Sequence, residues 1–270
     1  MFRKPSLFIL MVALLATTAS VHAGKDYVLG VFPYLPPRDL EKVFAPMAAD
    51  LGKTVHRHIV LRSSTTYARF SKHLEKQEYD IAFIQPFDYI HMADRYGYLP
   101  LATRSEKLTA IVVARTDSPL RSVADLRGKR MALPPKMAAV SRLMRAFLKE
   151  HGLVPDQDIQ LSYHRSHVAC MRQILIREAD VCGTAAPALR FFEHKMKVKL
   201  KTIAASRPIP HTLFAINPRV PKSDRDALRE RIVGWAKTEE GRQLLARGRL
   251  SPFIPIRDSD YNVVRELSRE

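Results

Sequence analysis

The chain has 270 residues, a length that fits one large domain or two smaller lobes, and 46% of them are hydrophobic, which is ample for a core. Its 44 Lys and Arg residues against 27 Asp and Glu residues give a formal net charge of +17, a surplus that attracts anions or merely reflects the composition of the host. The cations are scattered and no basic, aromatic-interleaved binding motif is present, which argues against nucleic acid as a partner.

The first 23 residues are typical of a secretory signal peptide. Two cations precede an apolar segment over residues 7–16, and small residues follow up to Ala23. The apolar segment is too short to span a bilayer, and no later segment is long enough. We therefore expect cleavage near Ala23 and a chain that resides in the bacterial periplasm without being embedded in the membrane. Retention of the segment as an N-terminal anchor is the alternative.

Strands and helices alternate through the first half of the remaining chain. Apolar runs predict strands over residues 26–34, 56–61, 79–84, 99–103 and 108–115. Apolar stripes at helical spacing predict helices over residues 38–52, after a cap at Thr65 or Thr66, and over residues 87–97. This alternation predicts an α/β fold with a mostly parallel sheet flanked by helices.

The layout repeats at an offset of 100 residues. Residues 60–83 align without a gap on residues 160–183, which matches Asp80 with Asp180. In addition, the strand that runs into Pro134 and Pro135 parallels the first strand of the chain, which also ends in prolines. The repeat predicts two similar α/β lobes. The two aspartates fit a structural role at the start of a strand better than a catalytic one.

The loops that follow the strands are the expected ligand-binding elements. In open α/β sheets such loops collect at the carboxyl edge, where helix N-terminal amides favour negative charge. In lobe one these are residues 32–34, 64–67 and 85–86, and in lobe two they are residues 136–138, 164–166 and 183–184. Facing each other, the two sets would line a cleft.

Four segments, spread over nearly the whole chain after residue 23, carry a family resemblance. They are "EYDIAFIQPFDYI" (78–90), "DSPLRSVADLRGKR" (117–130), "EADVCG" (178–183) and "PRVPKSDRDALRERIVGWAKTEEGRQLL" (218–245). They resemble the phosphate-, phosphite- and phosphonate-binding proteins of ABC transporters. The resemblance implies a periplasmic-binding-protein fold that closes around a ligand by hinge motion and delivers it to a membrane permease.

The same resemblance implies the domain organisation. Residues 24–113 would form the first part of lobe one, residues 114–211 lobe two, and residues 212–270 the return to lobe one with C-terminal helices. The two crossings between the lobes would lie near residues 114–117 and 206–212. We expect a monomer whose partners are a small-molecule anion and an ABC permease, or alternatively a sensor histidine kinase.

The resemblance also transfers individual site residues. Tyr67 and His164 match the family's aromatic residue and its second-lobe histidine. Residues 137–139 read Met-Ala-Ala where the phosphonate binders have Ser-Thr-Ser, and Leu108 stands in place of a tyrosine. Because these hydroxyl donors are missing, we expect an altered specificity, for a more apolar ligand or another anion. The candidate ligand-binding residues are Tyr34, Thr65, Thr66, Tyr67, Gln85, Lys136, Met137, His164, Thr184 and His211, each with a packing or capping role as its alternative.

Catalytic and metal chemistry find little support in the sequence. No G-x-S-x-G, H-E-x-x-H, P-loop or G-x-G-x-x-G motif occurs, so we expect no enzyme and no cofactor, and an uncharacterised periplasmic enzyme is the weakest alternative. His164, His167 and Cys170 are too loosely spaced to favour a metal site. Cys170 and Cys182 are predicted to form a disulfide in an oxidising compartment, with two buried thiols as the alternative.

Overall fold

The computed structural model describes residues 26–269, so the predicted signal peptide and its cleavage site lie outside the described residues. The strands are β1 (Tyr27–Val31), β2 (Ile59–Ser63), β3 (Ile81–Ile84), β4 (Leu99–Arg104), β5 (Ile111–Arg115), β6 (Arg130–Leu133), β7 (Gln160–Tyr163), β8 (Val181–Thr184), β9 (Leu200–Ala205), β10 (Leu213–Ile216) and β11 (Phe253–Ile254). The α-helices are α1 (Pro37–Val55), α2 (Tyr67–Glu75), α3 (Pro86–Tyr96), α4 (Ala139–Glu150), α5 (His167–Leu175), α6 (Ala186–Met196), α7 (Lys222–Gly234), α8 (Glu239–Gly248) and α9 (Asn262–Arg269). Within the described range, no helix has both the length and the apolar character of a membrane span.

Two sheets divide the molecule into two lobes, which confirms the predicted two-lobed α/β fold. Lobe one contains a six-stranded sheet in the order β11-β4-β10-β3-β1-β2. Lobe two contains a five-stranded sheet in the order β7-β6-β8-β5-β9. The core strands β1, β2 and β3 are mutually parallel, as are β6, β7 and β8, whereas β5 and β10 run antiparallel to their neighbours. Each sheet therefore has one edge at which the carboxyl ends of three parallel strands meet.

The chain passes between the lobes through two adjacent connections. The first runs over residues 105–110 and the second over residues 206–212, and they pair where Leu108 and Ile209 exchange backbone hydrogen bonds of 2.8 and 2.9 Å. The sequence-based position of the first crossing, residues 114–117, is wrong because Ala114 pairs with Lys201 inside the sheet of lobe two. All of β5 thus belongs to lobe two, and the boundary falls before Ile111.

The repeat read from the sequence is present in the structure. At the 100-residue offset, α2 coincides with α5, β3 with β8 and α3 with α6. Asp80 accepts a hydrogen bond from the backbone N–H of Val28 (2.8 Å), and Asp180 accepts the equivalent bond from Arg130 (2.8 Å). Each aspartate therefore joins two neighbouring parallel strands at their amino ends, a structural role.

Two further contacts anchor the cores of the lobes. Cys170 on α5 and Cys182 on β8 are joined by a disulfide and are fully buried, which ties that helix to the sheet of lobe two. Trp235 is fully buried in lobe one, where its ring packs edge-on against Phe214 (5.8 Å) and its Nε1–H donates to Asp50 (2.8 Å).

Candidate ligand-binding cleft

The carboxyl edges of the two sheets approach each other where the loop after β3 meets the first turn of α4. Gln85, which is buried, spans this junction. Its Oε1 accepts a hydrogen bond from the backbone N–H of Ala139 (2.7 Å), and its Nε2 donates to the hydroxyl of Tyr67 and to the carbonyl of Met137 (3.3 Å). The carboxamide of Gln85 thus links Tyr67, at the start of α2 in lobe one, to the N-terminus of α4 in lobe two.

The sequence around α4 explains why Gln85 takes this position. A helix N-terminus leaves backbone N–H groups without intrahelical partners, which a Ser or Thr hydroxyl ordinarily satisfies. Here the N-cap residue is Ala138, and α4 has no side-chain cap of its own. The oxygen of Gln85 accepts a hydrogen bond from another N–H group of this first turn, that of Ala139, and it does so from the opposite lobe.

A second contact between the lobes lies beside Gln85. Asp88 on α3 is buried, and one of its oxygens lies 3.5 Å from the guanidinium of Arg142 on α4. Burial raises the pKa of Asp88 to about 6, while the nearby Arg142 acts in the opposite direction. Arg142 also lies over the ring of Phe87, 4.5 Å from its centroid. An ion pair and a cation–π contact therefore join α3 to α4.

The aromatic side chains of lobe one pack together behind the cleft. Tyr67 lies 5.9 Å from Phe32, and burial raises the pKa of Tyr67 well above its usual value, so its hydroxyl remains a donor. Tyr34 packs 4.8 Å from Phe32 and keeps 37% of its surface exposed. Thr66 accepts a hydrogen bond from Arg69 N–H (3.2 Å) and so caps α2, whereas Thr65 is exposed on the same loop.

Arg104 is a cleft residue that sequence reasoning missed. It ends β4, forms an ion pair with Glu106, and its positive charge acts on both Tyr34 and His211. Burial, with Arg104 as the second cause, lowers the pKa of His211 to about 3. Nδ1 of His211 accepts a hydrogen bond from the backbone N–H of Thr212 (2.7 Å), which leaves the proton of the neutral ring on Nε2.

The lobe-two candidates fall into two groups. His167, at the start of α5, lies 2.9 Å from the buried hydroxyl of Thr184, and burial lowers the pKa of His167 to about 4. Lys136 and His164 are turned toward their own lobe, where the Lys136 ammonium lies 5.9 Å from the ring centroid of Tyr163 and His164 Nε2 lies 3.0 Å from a serine hydroxyl. Met137 exposes 44% of its surface beside the contact with Gln85.

The structure brings together some of the predicted site residues and not others. One group of hydrogen-bonded residues spans the two lobes and consists of Tyr67, Gln85 and Met137. The positive charge of Arg104 acts on two other predicted residues, Tyr34 and His211. Asp88 and Arg142 were not predicted, because they are far apart in sequence and meet only where α3 and α4 approach each other. Arg104 was not predicted, because with Glu106 two residues later it looks like an ordinary surface pair. Among residues 26–269, no three His, Cys, Asp or Glu side chains are grouped so that they could hold a metal ion.

Known proteins share the fold of this chain over most of its length. The family model of the phosphonate ABC transporter periplasmic substrate-binding proteins matches residues 29–261. Similar solved structures include XAC2383 from Xanthomonas citri bound to ATP, with 16% identity, a TM-score of 0.78, and coverage of 90% of this chain and 96% of that chain. PhnD1 from Prochlorococcus marinus in complex with methylphosphonate has 14% identity, a TM-score of 0.75, and coverage of 91% and 97%. The binding protein component of an ABC phosphonate transporter from Pseudomonas aeruginosa has 16% identity, a TM-score of 0.72, and coverage of 90% and 85%.

Proposed function

The chain belongs to the periplasmic substrate-binding proteins of phosphonate ABC transporters, and from that premise we propose that it captures a small organic anion between its lobes and delivers it to an ABC permease. Proteins of this family bind a solute in the periplasm and are not enzymes.

The observation that carries this proposal is the hydrogen bond between Gln85 Oε1 and Ala139 N–H. The backbone N–H of Ala139, in the first turn of α4, donates across the cleft to an oxygen from lobe one. Helix N-termini are favourable sites for anionic oxygens, because their N–H groups lack partners and the helix dipole is positive there. A ligand oxygen that replaces Gln85 Oε1 between the lobes would accept from the same donor, with the Tyr67 hydroxyl on the facing side.

The charges and apolar groups around the cleft restrict the class of ligand. Arg104, which is paired with Glu106, acts with its positive charge on Tyr34, whereas burial keeps His211 neutral near pH 7. The hydroxyl donors that a phosphonate group would favour are absent at residues 137–139, and Met137 presents an exposed apolar side chain instead. We therefore propose a ligand with one anionic group and an adjacent apolar part, such as an alkylsulfonate or a carboxylate.

A thermal-unfolding screen tests this proposal. The protein would be heated with phosphate, phosphite, methylphosphonate, alkylsulfonates and carboxylates, each against a neutral analogue of the same size. A ligand at 100 times its Kd stabilises the folded state by about 2.7 kcal/mol. We expect stabilisation by an organic anion and none by its neutral analogue. Stabilisation by neutral compounds alone would overturn the anionic assignment.

A conservative variant tests the role of Tyr67 with the ligand found in that screen. Tyr67→Phe removes the hydroxyl and keeps the ring that packs on Phe32, so the fold should be preserved. A hydrogen bond to a charged group contributes about 1.5 to 3 kcal/mol, so Kd should rise by at least about tenfold. Tyr96→Phe, a change of the same kind near the far end of α3, serves as the control and should leave Kd unchanged. Equal affinities for both variants would remove Tyr67 from the site.

A further inference from the structure

The last turns of α6 and the residues that lead into β9 form a basic surface on lobe two. We call this surface the α6 face and define it by Arg190, Phe191, Lys195, Lys197 and Lys199, all of which are exposed. Part of it surrounds a shallow cavity of about 470 Å³, to which His194 also contributes. The face combines cations with an exposed aromatic ring.

Helical spacing explains why these side chains gather on one side. Arg190, His194 and Lys197 recur at intervals of four and three residues, so they form one stripe along α6 and its C-cap. Phe191 and Lys195 form the neighbouring stripe, in which the Lys195 ammonium lies 5.8 Å from the centroid of the Phe191 ring. The charges therefore project from a single helix surface.

The positive charge of the α6 face is poorly compensated. Glu193 is the sole acid between residues 186 and 201, and its side chain is 15% exposed. It accepts a hydrogen bond from the backbone N–H of Leu200 (3.0 Å) and lies 3.5 Å from Lys199. In contrast, Lys222 and Arg229 on α7 both pair with Asp226. Within residues 26–269, no carboxylate lies within ion-pair distance of Arg190, Lys195 or Lys197.

We propose that the α6 face docks the protein on the anionic phospholipid headgroups of a membrane surface. Lysines beside an edge strand such as β9 can prevent that strand from pairing with another chain. This explanation does not apply to Arg190, Phe191 and Lys195, because they lie on a helix. Clustered cations attract anionic headgroups, and a half-exposed phenyl ring inserts at the headgroup boundary. Phe191 is 48% exposed, which suits this insertion.

The position of the α6 face is compatible with a working cleft. α6 begins directly after the carboxyl end of β8, at the cleft edge, and runs away from it. Its last turn and Lys197 therefore lie toward the opposite edge of the lobe-two sheet. When the protein is docked on a membrane through this face, its cleft would stay open to ligand. Membrane docking is therefore independent of the proposed ligand site.

Vesicle co-sedimentation tests the proposal with the exported protein. It would be mixed with phosphatidylcholine vesicles and with vesicles of equal parts phosphatidylcholine and phosphatidylglycerol. We expect binding to the anionic vesicles alone, weakened by added salt because the screening length falls to about 8 Å near 0.15 M. Each cation near an anionic surface contributes about fivefold to the partition coefficient, so R190E/K195E/K197E should lower it by about a hundredfold or more.

A matched variant controls for the change in net charge. R95E/K237E/R247E reverses three exposed cations of lobe one, two of which lie in last helical turns as Lys195 does. It should bind anionic vesicles much better than the α6-face variant, and Phe191→Ala should reduce binding by several-fold without any change in charge. Equal loss in both triple variants, or no wild-type binding to anionic vesicles, would overturn the proposal. The ligand-induced thermal shift should be the same in all variants, which separates this result from a failure of the ligand site.

Discussion

Replacing Asp88 with asparagine tests the electrostatics of the contact between the lobes. Asp88 is buried beside Gln85 and lies 3.5 Å from Arg142 of the other lobe. Burial raises its pKa from the ordinary value of 3.8 to about 6. The folded state thus binds this proton more tightly than the unfolded state does, so the group stabilises the fold below about pH 4 and loses that contribution as the pH rises through about 6. Asparagine keeps the shape of the side chain and does not titrate.

The size of the effect follows from the shift in pKa. One pKa unit corresponds to about 1.36 kcal/mol, so a rise from 3.8 to about 6 amounts to about 3 kcal/mol. The free energy of unfolding of Asp88→Asn minus that of the wild type should therefore increase by about 2.4 kcal/mol between pH 4 and pH 7, because the rest of the change falls below pH 4. The Arg142 ion pair forms only while Asp88 is ionised, so its effect is already contained in the shifted pKa, and any pH-independent cost of the substitution shifts the whole curve without changing its slope.

Urea unfolding at a series of pH values measures this difference. The fluorescence of Trp235, the single tryptophan, reports unfolding because the ring is fully buried in lobe one. Asp39→Asn, a substitution of the same kind at an exposed position in the first turn of α1, is the matched control. A curve for Asp88→Asn that falls with rising pH would mean that the ion pair outweighs burial and would refute the reasoning.

Three further predictions concern the disulfide, the buried histidines and the tryptophan. Replacing both Cys170 and Cys182 with serine should lower the free energy of unfolding by about 3 kcal/mol, because the disulfide no longer restricts the entropy of the unfolded chain. Urea midpoints measured with and without reductant check this. The pKa values of His167 and His211 are lowered to about 4 and about 3, so their imidazole NMR signals should not titrate between pH 8 and pH 5, and a midpoint near 6.5 for either would contradict its burial. Trp235 fluorescence should change on unfolding but not on ligand binding, because the ring contacts the core of lobe one; a ligand-dependent change would place it near the cleft.

Local sequence signals, such as helix caps and helix-ending glycines, predicted much of the fold. Thr66 and Ser166 each accept a hydrogen bond from the backbone N–H three residues later, at 3.2 and 3.1 Å, and so begin equivalent helices in the two lobes. Gly97 ends α3 in the left-handed conformation, at the residue where the predicted helix over residues 87–97 also ends. Such features act over a few residues, so they can be recognised without knowledge of the partner elements.

Long-range pairing was the part that the sequence did not reveal. The residues of β5 form an apolar strand whichever sheet they join, and only their pairing with β8 and β9 assigns them to lobe two. The same limit applies to the cleft. The bond from Ala139 to Gln85 and the ion pair of Asp88 with Arg142 depend on how α3 and α4 approach each other, which neither periodicity nor composition specifies.

The position of β10 has a consequence for the order in which the chain folds. Strand β10 lies between β3 and β4, which pair with it and not with each other, so the first sheet is divided until residues 213–216 are available. The second sheet is built from the continuous stretch 111–205 and needs no later segment. Contacts close in sequence form sooner than distant ones, because they lose less chain entropy on closure. Lobe two can therefore assemble first, although most of lobe one precedes it in the chain.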